Sequence, residues 1–338
     1  MKIAIDKNSM NVAKKDKNEY IYLFDNEDYR DLLKTGLHCL DYRYCKFVDI
    51  NLTDYDVDCL KKCKATDKDW KKLEKKDYKI GIIVPNYNYS HTLEKCLTSI
   101  LNQTYKNFEI IYVDDMSTDN SVEIAKKLLK SPHKVIELKQ KRYNGGARNE
   151  AYLHLSEDVD YVWYVDSDDW LLNECVLEDI NLKLQKQPDV LFVGMSSYKN
   201  DRLSTCFIPQ YRDRYEAIKG WSGSCGKVIR KRLATRQECL YNEGTLKEDR
   251  NQHCRICIYM KDFDLLKEPI YVWNQSNTKS VTTIREGIMW GTSTIRHLAD
   301  TKQLYLSVKG KDPKIDRILE ERLRLCEQEV RMGKDRQW

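Results

Sequence analysis

The sequence predicts an α/β fold: a mostly parallel central sheet flanked by helices, with a small N-terminal α+β extension and a helical C-terminus. Three observations carry this. Between Lys79 and Gly194, short apolar runs of strand type alternate with segments of helical period, the pattern of parallel strands joined by helical crossovers. The run Tyr161–Val165 passes straight into Asp166, Asp168 and Asp169, as a buried strand does when it carries ligands at its carboxyl end. The stretches before and after this region lack the alternation.

Residues 1–77 are rich in Lys, Asp and Tyr, with short apolar pieces at Tyr20–Phe24 and Phe47–Ile50. Tyr29–Leu40 and Asp54–Lys76 read as helices, the second strongly charged. From Lys79 the elements follow in order. Ile80–Val84 is a strand closed by Pro85-Asn86-Tyr87-Asn88, and His91–Asn102 places Leu93, Cys96, Leu97, Ile100 and Leu101 on one helical face. Phe108–Val113 is a strand ended by Asp114 and Asp115. Ser117-Thr118-Asp119 offers N-caps for a helix through Leu129. Val135–Leu138 is a strand. Asn144-Gly145-Gly146 reads as a turn into a helix over Ala147–Leu155. Asn173–Gln187 is an amphipathic helix and Asp189–Gly194 a strand. After Ser196 the alternation breaks: Leu203–Ile208, Lys227–Arg230 and Pro269–Trp273 read as strands and Lys247–Met260 as a helix. From Ile284 the chain reads as helical, and its last helix shows an apolar face at Ile315, Ile318, Leu319, Leu323, Cys326 and Val330.

The 338 residues, 41% hydrophobic and 33% charged, describe a globular chain with a highly charged surface. A net charge of +5 is too small to argue for nucleic acid. No window approaches the ~18 apolar residues of a membrane span, and the start of the chain shows no secretory apolar core, so the reading is a soluble cytoplasmic protein. The basic last helix reads as a packed surface helix ahead of a peripheral membrane contact. Twelve cysteines are scattered without zinc-ribbon spacing. His253-Cys254-x-x-Cys257 is the one cluster that suggests a metal, and buried thiols explain it better.

The chemistry gathers where three strands end: Pro85–Tyr87, Asp114–Asp115 and Asp166–Asp169. Carboxylates two apart on an extended chain point to one side, and hard oxygen donors so placed suit Mn²⁺ or Mg²⁺. An aromatic such as Tyr87 can stack on a base, and a carboxylate can accept from a base N–H or a ribose hydroxyl. Such an edge fits a nucleotide whose diphosphate needs a cation between it and the acids. Asp-Ser-Asp taken alone is equally a strand followed by a polar turn. There is no Walker A motif and no G-x-G-x-x-G after the first strand.

Five motifs in order carry a resemblance: Val84-Pro85-Asn86-Tyr87-Asn88, Leu97–Tyr105, Val113–Asp119, Asn144-Gly145-Gly146-Ala147-Arg148-Asn149 and Val165–Asp169. Together they resemble the family 2 glycosyltransferases, with the Rossmann-like GT-A fold and a DxD motif. The likeness is dense over residues 79–195. Further on, Ser224–Arg230, Tyr241-Asn242-Glu243-Gly244, Glu248-Asp249 and Ser280-Val281-Thr282 resemble later family segments. Met116 departs from a frequent Gly, which is tolerable if its φ is negative.

The chain reads as three parts: an N-terminal extension or recognition annex over residues 1–77 with no counterpart in the family core, a domain over 78–283 for which the resemblance implies the GT-A fold, and a helical segment over 284–338. Within the domain, 78–195 would be the nucleotide-sugar half and 196–283 the acceptor half. The resemblance implies that Pro85, Tyr87, Asp114 and Asp115 hold base and ribose, that Arg148 supports the nucleotide, and that Asp166 and Asp168 hold Mn²⁺ or Mg²⁺ against the diphosphate. Asp249 would be the general base of an inverting transfer from a UDP-sugar. By residue chemistry alone Glu248-Asp249 is also an acid pair favoured at a helix start. The rivals are a nucleotidyltransferase making an activated sugar and a non-catalytic nucleotide-sugar-binding module. The expected acceptor is a glycan, free or lipid-linked, with a protein or a hydroxylated nucleobase as lesser alternatives.

Overall fold

The computed structural model describes residues 76–221, 223–276 and 288–332, together with three short strands near the N-terminus. The chain divides into two compact units, Met1–Lys76 and Asp77–Trp338. In the first, β1 (Lys2–Ala4) pairs parallel with β2 (Tyr20–Tyr22) and antiparallel with β3 (Phe47–Asp49). Two of these strands fall on the short apolar pieces of the sequence. The helices read over Tyr29–Leu40 and Asp54–Lys76 lie outside the described residues, Lys76 apart.

The second unit is built on a nine-stranded sheet. Its first half follows the predicted alternation: β4 (Ile80–Asn86), α1 (Ser90–Leu101), β5 (Phe108–Asp114), α2 (Ser121–Leu128), β6 (Lys134–Glu137), α3 (Tyr143–His154) and β7 (Tyr161–Tyr164). β6, β5, β4 and β7 lie side by side, all parallel. They are apolar along their length because both faces are covered. Ile80, Ile82 and Val84 pack on one side with α1 residues Leu93, Cys96, Leu97 and Ile100. Ile83, Ile111 and Val113 pack on the other with Ala147 and Ala151 of α3. Period-two alternation along each strand thus feeds two cores.

The second half adds antiparallel strands to this parallel core. After β8 (Trp170–Leu171) and α4 (Val176–Leu184) come β9 (Val190–Lys199), β10 (Arg202–Phe207), α5 (Arg214–Lys219) and β11 (Lys227–Arg230). α6 (Lys231–Ala234), α7 (Glu248–Tyr259) and β12 (Phe263–Asn274) follow. β11 runs antiparallel to both β7 and β9, β12 is parallel to β9, and β8 closes the sheet antiparallel to β12. β12 begins six residues before the predicted start at Pro269. The proline sits at a register shift, where its missing N–H costs no ladder bond, so it marks a bulge and not a strand end. α8 (Ile288–Val308) and α9 (Pro313–Met332) pack against the α3 and α7 side of the sheet through Leu304, Tyr305, Ile315 and Leu319.

Candidate active site

β4 and β5 are paired in register up to Asn86 and Asp114, and β7 ends beside β4, so the three motif-bearing strand ends do share one edge. Asp114 is buried and turned inward: its carboxylate accepts from Asn86 Nδ2 (3.2 Å), Tyr112 OH (3.0 Å), Ser117 N (2.7 Å) and Ser117 Oγ (2.6 Å). Four donors satisfy a carboxylate, so Asp114 braces the loop that follows β5. Asp115 is also buried, and it receives Arg142 N (2.7 Å) and Tyr143 N (2.8 Å) at the start of α3. Lys141 Nζ lies 3.3 Å from Asp115 Oδ2 and over the Tyr87 ring. Burial lowers the Lys141 pKa, partly offset by Asp115. The sequence reading gave Lys141 no role. Pro85 is buried within β4, whereas Tyr87 and Met116, which follow the paired strand ends, are 42% and 47% exposed.

Backbone strain collects here. Asn88, Met116 and Tyr143 have φ of 60°, 66° and 60°, three of the six non-glycine residues with positive φ among those described. Strained conformations persist where the surroundings hold them, and they cluster at ligand sites. Ser117 Oγ accepts from Asn88 N (2.9 Å), and Asp115 accepts from Tyr143 N. The condition under which Met116 was tolerable, a negative φ, is therefore not met. A left-handed L-residue costs roughly 1–2 kcal/mol, and glycine gives back roughly 0.5–1 kcal/mol in unfolded-state entropy. Met116→Gly is expected to raise stability by about 0.5–1 kcal/mol, read as a higher urea midpoint at unchanged slope. A lower midpoint would mean that side-chain contacts of Met116 outweigh the strain.

The loop after β7 is braced from behind. Ser167 O accepts from Thr92 Oγ1 of α1 (3.0 Å), and Tyr271 OH of β12 accepts from Asp166 N (3.1 Å). Asp169 is buried, with its two oxygens taken by Tyr271 OH (2.5 Å) and Asn274 N (2.8 Å). Burial, then the neighbouring Asp168 and Asp166, push its pKa well up. Asp166, Asp169 and Cys225 bring one ligand atom each within 4.8 Å of one another. Asp169 is already bonded, however, and burial holds the Cys225 thiol neutral by raising its pKa. Within that trio a hard cation meets only Asp166. Asp166 and Asp168 are both half-buried oxygen donors and fit Mn²⁺ or Mg²⁺ better than the trio does.

Arg148 joins the two halves of the unit. Its NH2 donates to Asp166 Oδ1 and its NH1 to Glu248 Oε1, both at 2.7 Å. Burial works against the guanidinium charge, and Asp166, Tyr241 and Glu248 together outweigh it, raising the Arg148 pKa. The join requires α3 to lie against the loop before α7. A Cβ on Gly145 would stand 2.6 Å from Asn242 O and 3.2 Å from the Glu248 Cβ. Gly145 and Gly146 therefore lie inside the first turns of α3 and are not the turn predicted before it. Arg142 adds two hydrogen bonds to Glu243 (3.0 and 2.7 Å), and Asn149 Nδ2 donates to Tyr241 O (2.9 Å). Burial raises the pKa of Glu248, opposed by Arg148. Asp249, next in α7, is half-buried. Lys227 of β11 is wholly buried and feels Asp249, and burial lowers its pKa to about 8.

Arg148→Met is expected to cost about 3–5 kcal/mol at neutral pH, the usual effect of stranding a buried partner. The sign of its pH dependence follows from Glu248. Without Arg148 the folded pKa of Glu248 rises further above the ordinary 4.5. Stability tied to a raised carboxyl is present below the unfolded pKa and lost as pH rises through the folded one. Up to the wild-type folded value of about 7 both proteins lose this contribution alike, so the penalty of the variant should grow as pH rises above about 7. Denaturation of both proteins at pH 5 and pH 8 measures it, and equal penalties would dismiss the coupling.

A cavity of about 430 Å³ lies at the start of β12 between Tyr211, Lys261 and Phe263, at the opposite end of that strand from Asn274. His253 Nε2 is bonded to the Ala217 carbonyl (2.7 Å), and Cys254 and Cys257 are buried thiols. Among the described residues no helix is long and apolar enough to cross a membrane.

Comparison with known proteins fits this arrangement. Residues 81–229 match the family described as Glycosyl transferase family 2. Residues 81–229 form a family 2 glycosyltransferase domain. Glycosyltransferase GlyA of Streptococcus pneumoniae is 45% identical over 101 residues, 30% of this chain and 14% of that protein. The Escherichia coli protein named UDP-Glc:alpha-D-GlcNAc-diphosphoundecaprenol beta-1,3-glucosyltransferase WfgD is 28% identical over 155 residues, 45% of this chain and 60% of that protein. The chain thus spans less than two thirds of each relative's length. Residues 1–349 of Staphylococcus aureus TarS, solved with UDP-GlcNAc, superpose with a TM-score of 0.59 at 22% identity, over 73% of this chain and 72% of that one. That likeness supports the GT-A fold of the glycosyltransferase domain. Arg148, Asp166 and the Asp114–Ser117 loop lie inside the family segment, whereas Glu248, Asp249 and both C-terminal helices lie beyond it. The Ser280-Val281-Thr282 motif falls outside the described residues.

Proposed function

We propose that this chain is an inverting glycosyltransferase that moves a sugar from a UDP-sugar to an acceptor hydroxyl with the help of Mn²⁺ or Mg²⁺. The observation that carries the reading is the Arg148 bridge. One buried guanidinium ties Asp166 of the DxD loop to Glu248 of the acid pair, each at 2.7 Å. A donor-side acid and an acceptor-side acid thereby meet at one crevice, as transfer between two bound sugars requires. A nucleotidyltransferase has no need of the second acid pair.

In this reading Tyr87 and Met116 offer the exposed surface for the base. Asp115 keeps room for one more donor beside the three groups it already meets. Asp166 and Asp168 would hold the metal, which neutralises charge on the departing diphosphate. Glu248 is committed to Arg148, which leaves Asp249 to take the acceptor proton. The name of WfgD points to a lipid-linked glycan as acceptor for that protein, and we take a glycan hydroxyl, free or lipid-linked, as the acceptor here. The test is release of UDP from UDP-glucose and UDP-N-acetylglucosamine with a panel of glycan acceptors, alongside thermal shift with UDP and Mn²⁺. Absence of both turnover and any UDP-dependent shift would dismiss the proposal.

A further inference from the structure

Glu248 and Asp249 suit the dipole at the start of α7, but the helix has no capping side chain. Its N-cap is Lys247, which makes no side-chain cap, and Arg250 adds a second cation to the first turn. Cations there oppose the helix macrodipole, and lysine cannot accept from the orphan N–H groups. Breaches of local preference of this kind mark places where another requirement prevails.

The compensation comes from the C-terminal helices. Glu329 of α9 receives Lys247 Nζ on Oε2 (3.3 Å) and Arg250 NH1 on Oε1 (3.4 Å). One carboxylate thus grips the residue before the Glu248-Asp249 pair and the residue after it. The side chains of Glu329 and Lys247 are 0% and 1% exposed. Arg322 of α9 donates to the Arg250 carbonyl (3.1 Å). From α8, Ser293 Oγ accepts from Leu246 N (3.0 Å), and Asp300 accepts from Asn251 Nδ2 (2.8 Å). The turn that carries the acid pair is held on both sides by helices outside the family segment.

A buried ion cluster is a poor way to gain stability, since apolar residues of similar volume often do as well or better. What it supplies is a fixed geometry. We infer that Glu329 is a positioning residue: it sets the first turn of α7 so that Asp249 meets the acceptor while Glu248 meets Arg148. This rests on the proposed transferase reading for its catalytic consequence but not for its structural one, and the experiment separates them.

Two variants serve. Glu329→Gln keeps the shape and removes the charge. The pair Lys247→Met with Glu329→Met removes the buried charges together and guards against misfolding. Amide exchange over residues 251–255 should quicken about tenfold or more in the double variant, with β4 and β7 unchanged. Unchanged exchange would overturn the inference. In turnover, Glu329→Gln should lower kcat about 10- to 100-fold, with donor KM and UDP affinity unaltered. Placed on Asp249→Asn, it should cause little further loss, because both act through one group. An equal loss in both backgrounds, or none in the wild-type background, would overturn it. Quickened exchange in a protein that releases no UDP from UDP-glucose or UDP-N-acetylglucosamine would uphold the positioning role and dismiss the transferase reading.

Discussion

Asp168→Ala is expected to lower sugar transfer by at least about 10²–10³-fold, with the fold and the neighbouring loop intact. Charge stabilisation by a bound metal supplies several kcal/mol at the transition state, and each 1.36 kcal/mol is a factor of about ten. Of the three acids after β7, Asp169 is least able to compensate, because Tyr271 and Asn274 hold both its oxygens. Asp166 already shares one oxygen with Arg148. Asp168 is therefore the carboxylate whose loss the loop cannot cover. Calorimetry of Mn²⁺ in the presence of UDP should show weakened binding in the variant, and excess EDTA should reproduce its kinetic defect in the wild type. Full wild-type turnover in EDTA would refute the metal role.

The parts of the fold legible in the sequence are those where burial leaves no choice. β4, β5 and β7 are covered on both faces, so each is a continuous apolar run, and their ends were read to within a residue or two. α5 was missed although Asp213 caps it by accepting from Glu216 N (2.8 Å), the reach of a capping box that could have been read from the Asp-x-x-Glu spacing. The start of α3 was misread for a tertiary reason. Gly-Gly ordinarily marks a turn, and only the approach of Asn242 and Glu248 shows why a helix should begin there. The same holds for the site. Which acids lie on the crevice edge follows from the strand ends. That Asp114 faces inward, or that Arg148 meets Glu248 exactly one hundred positions on, depends on packing that no local pattern records. Glu329 is further still from any motif, on a helix legible only by its apolar face and its basic charge.

Asp249→Asn is expected to leave UDP binding near normal and to lower transfer at least ~100-fold, within the ~10²–10⁴ that general-base catalysis contributes. The sequence offered Glu248 and Asp249 as equals, separated only by resemblance. The structure distinguishes their surroundings. Glu248 is buried and spends its carboxylate on Arg148 at 2.7 Å. Although burial raises its pKa, Glu248 could reach an acceptor only by leaving Arg148, and that would strand a buried cation. Successive helix residues point about 100° apart, so Asp249 cannot share that contact and is directed elsewhere from the same turn. It remains half-buried, in the field of the buried Lys227. Asn keeps the shape and removes the basicity, so a loss confined to kcat would identify the proton acceptor. Glu248→Gln should behave differently, losing stability as well as turnover because it releases Arg148. If Asp249→Asn transfers at the wild-type rate while Glu248→Gln fails with its stability unchanged, Glu248 is the base and the Arg148 bridge must open during turnover.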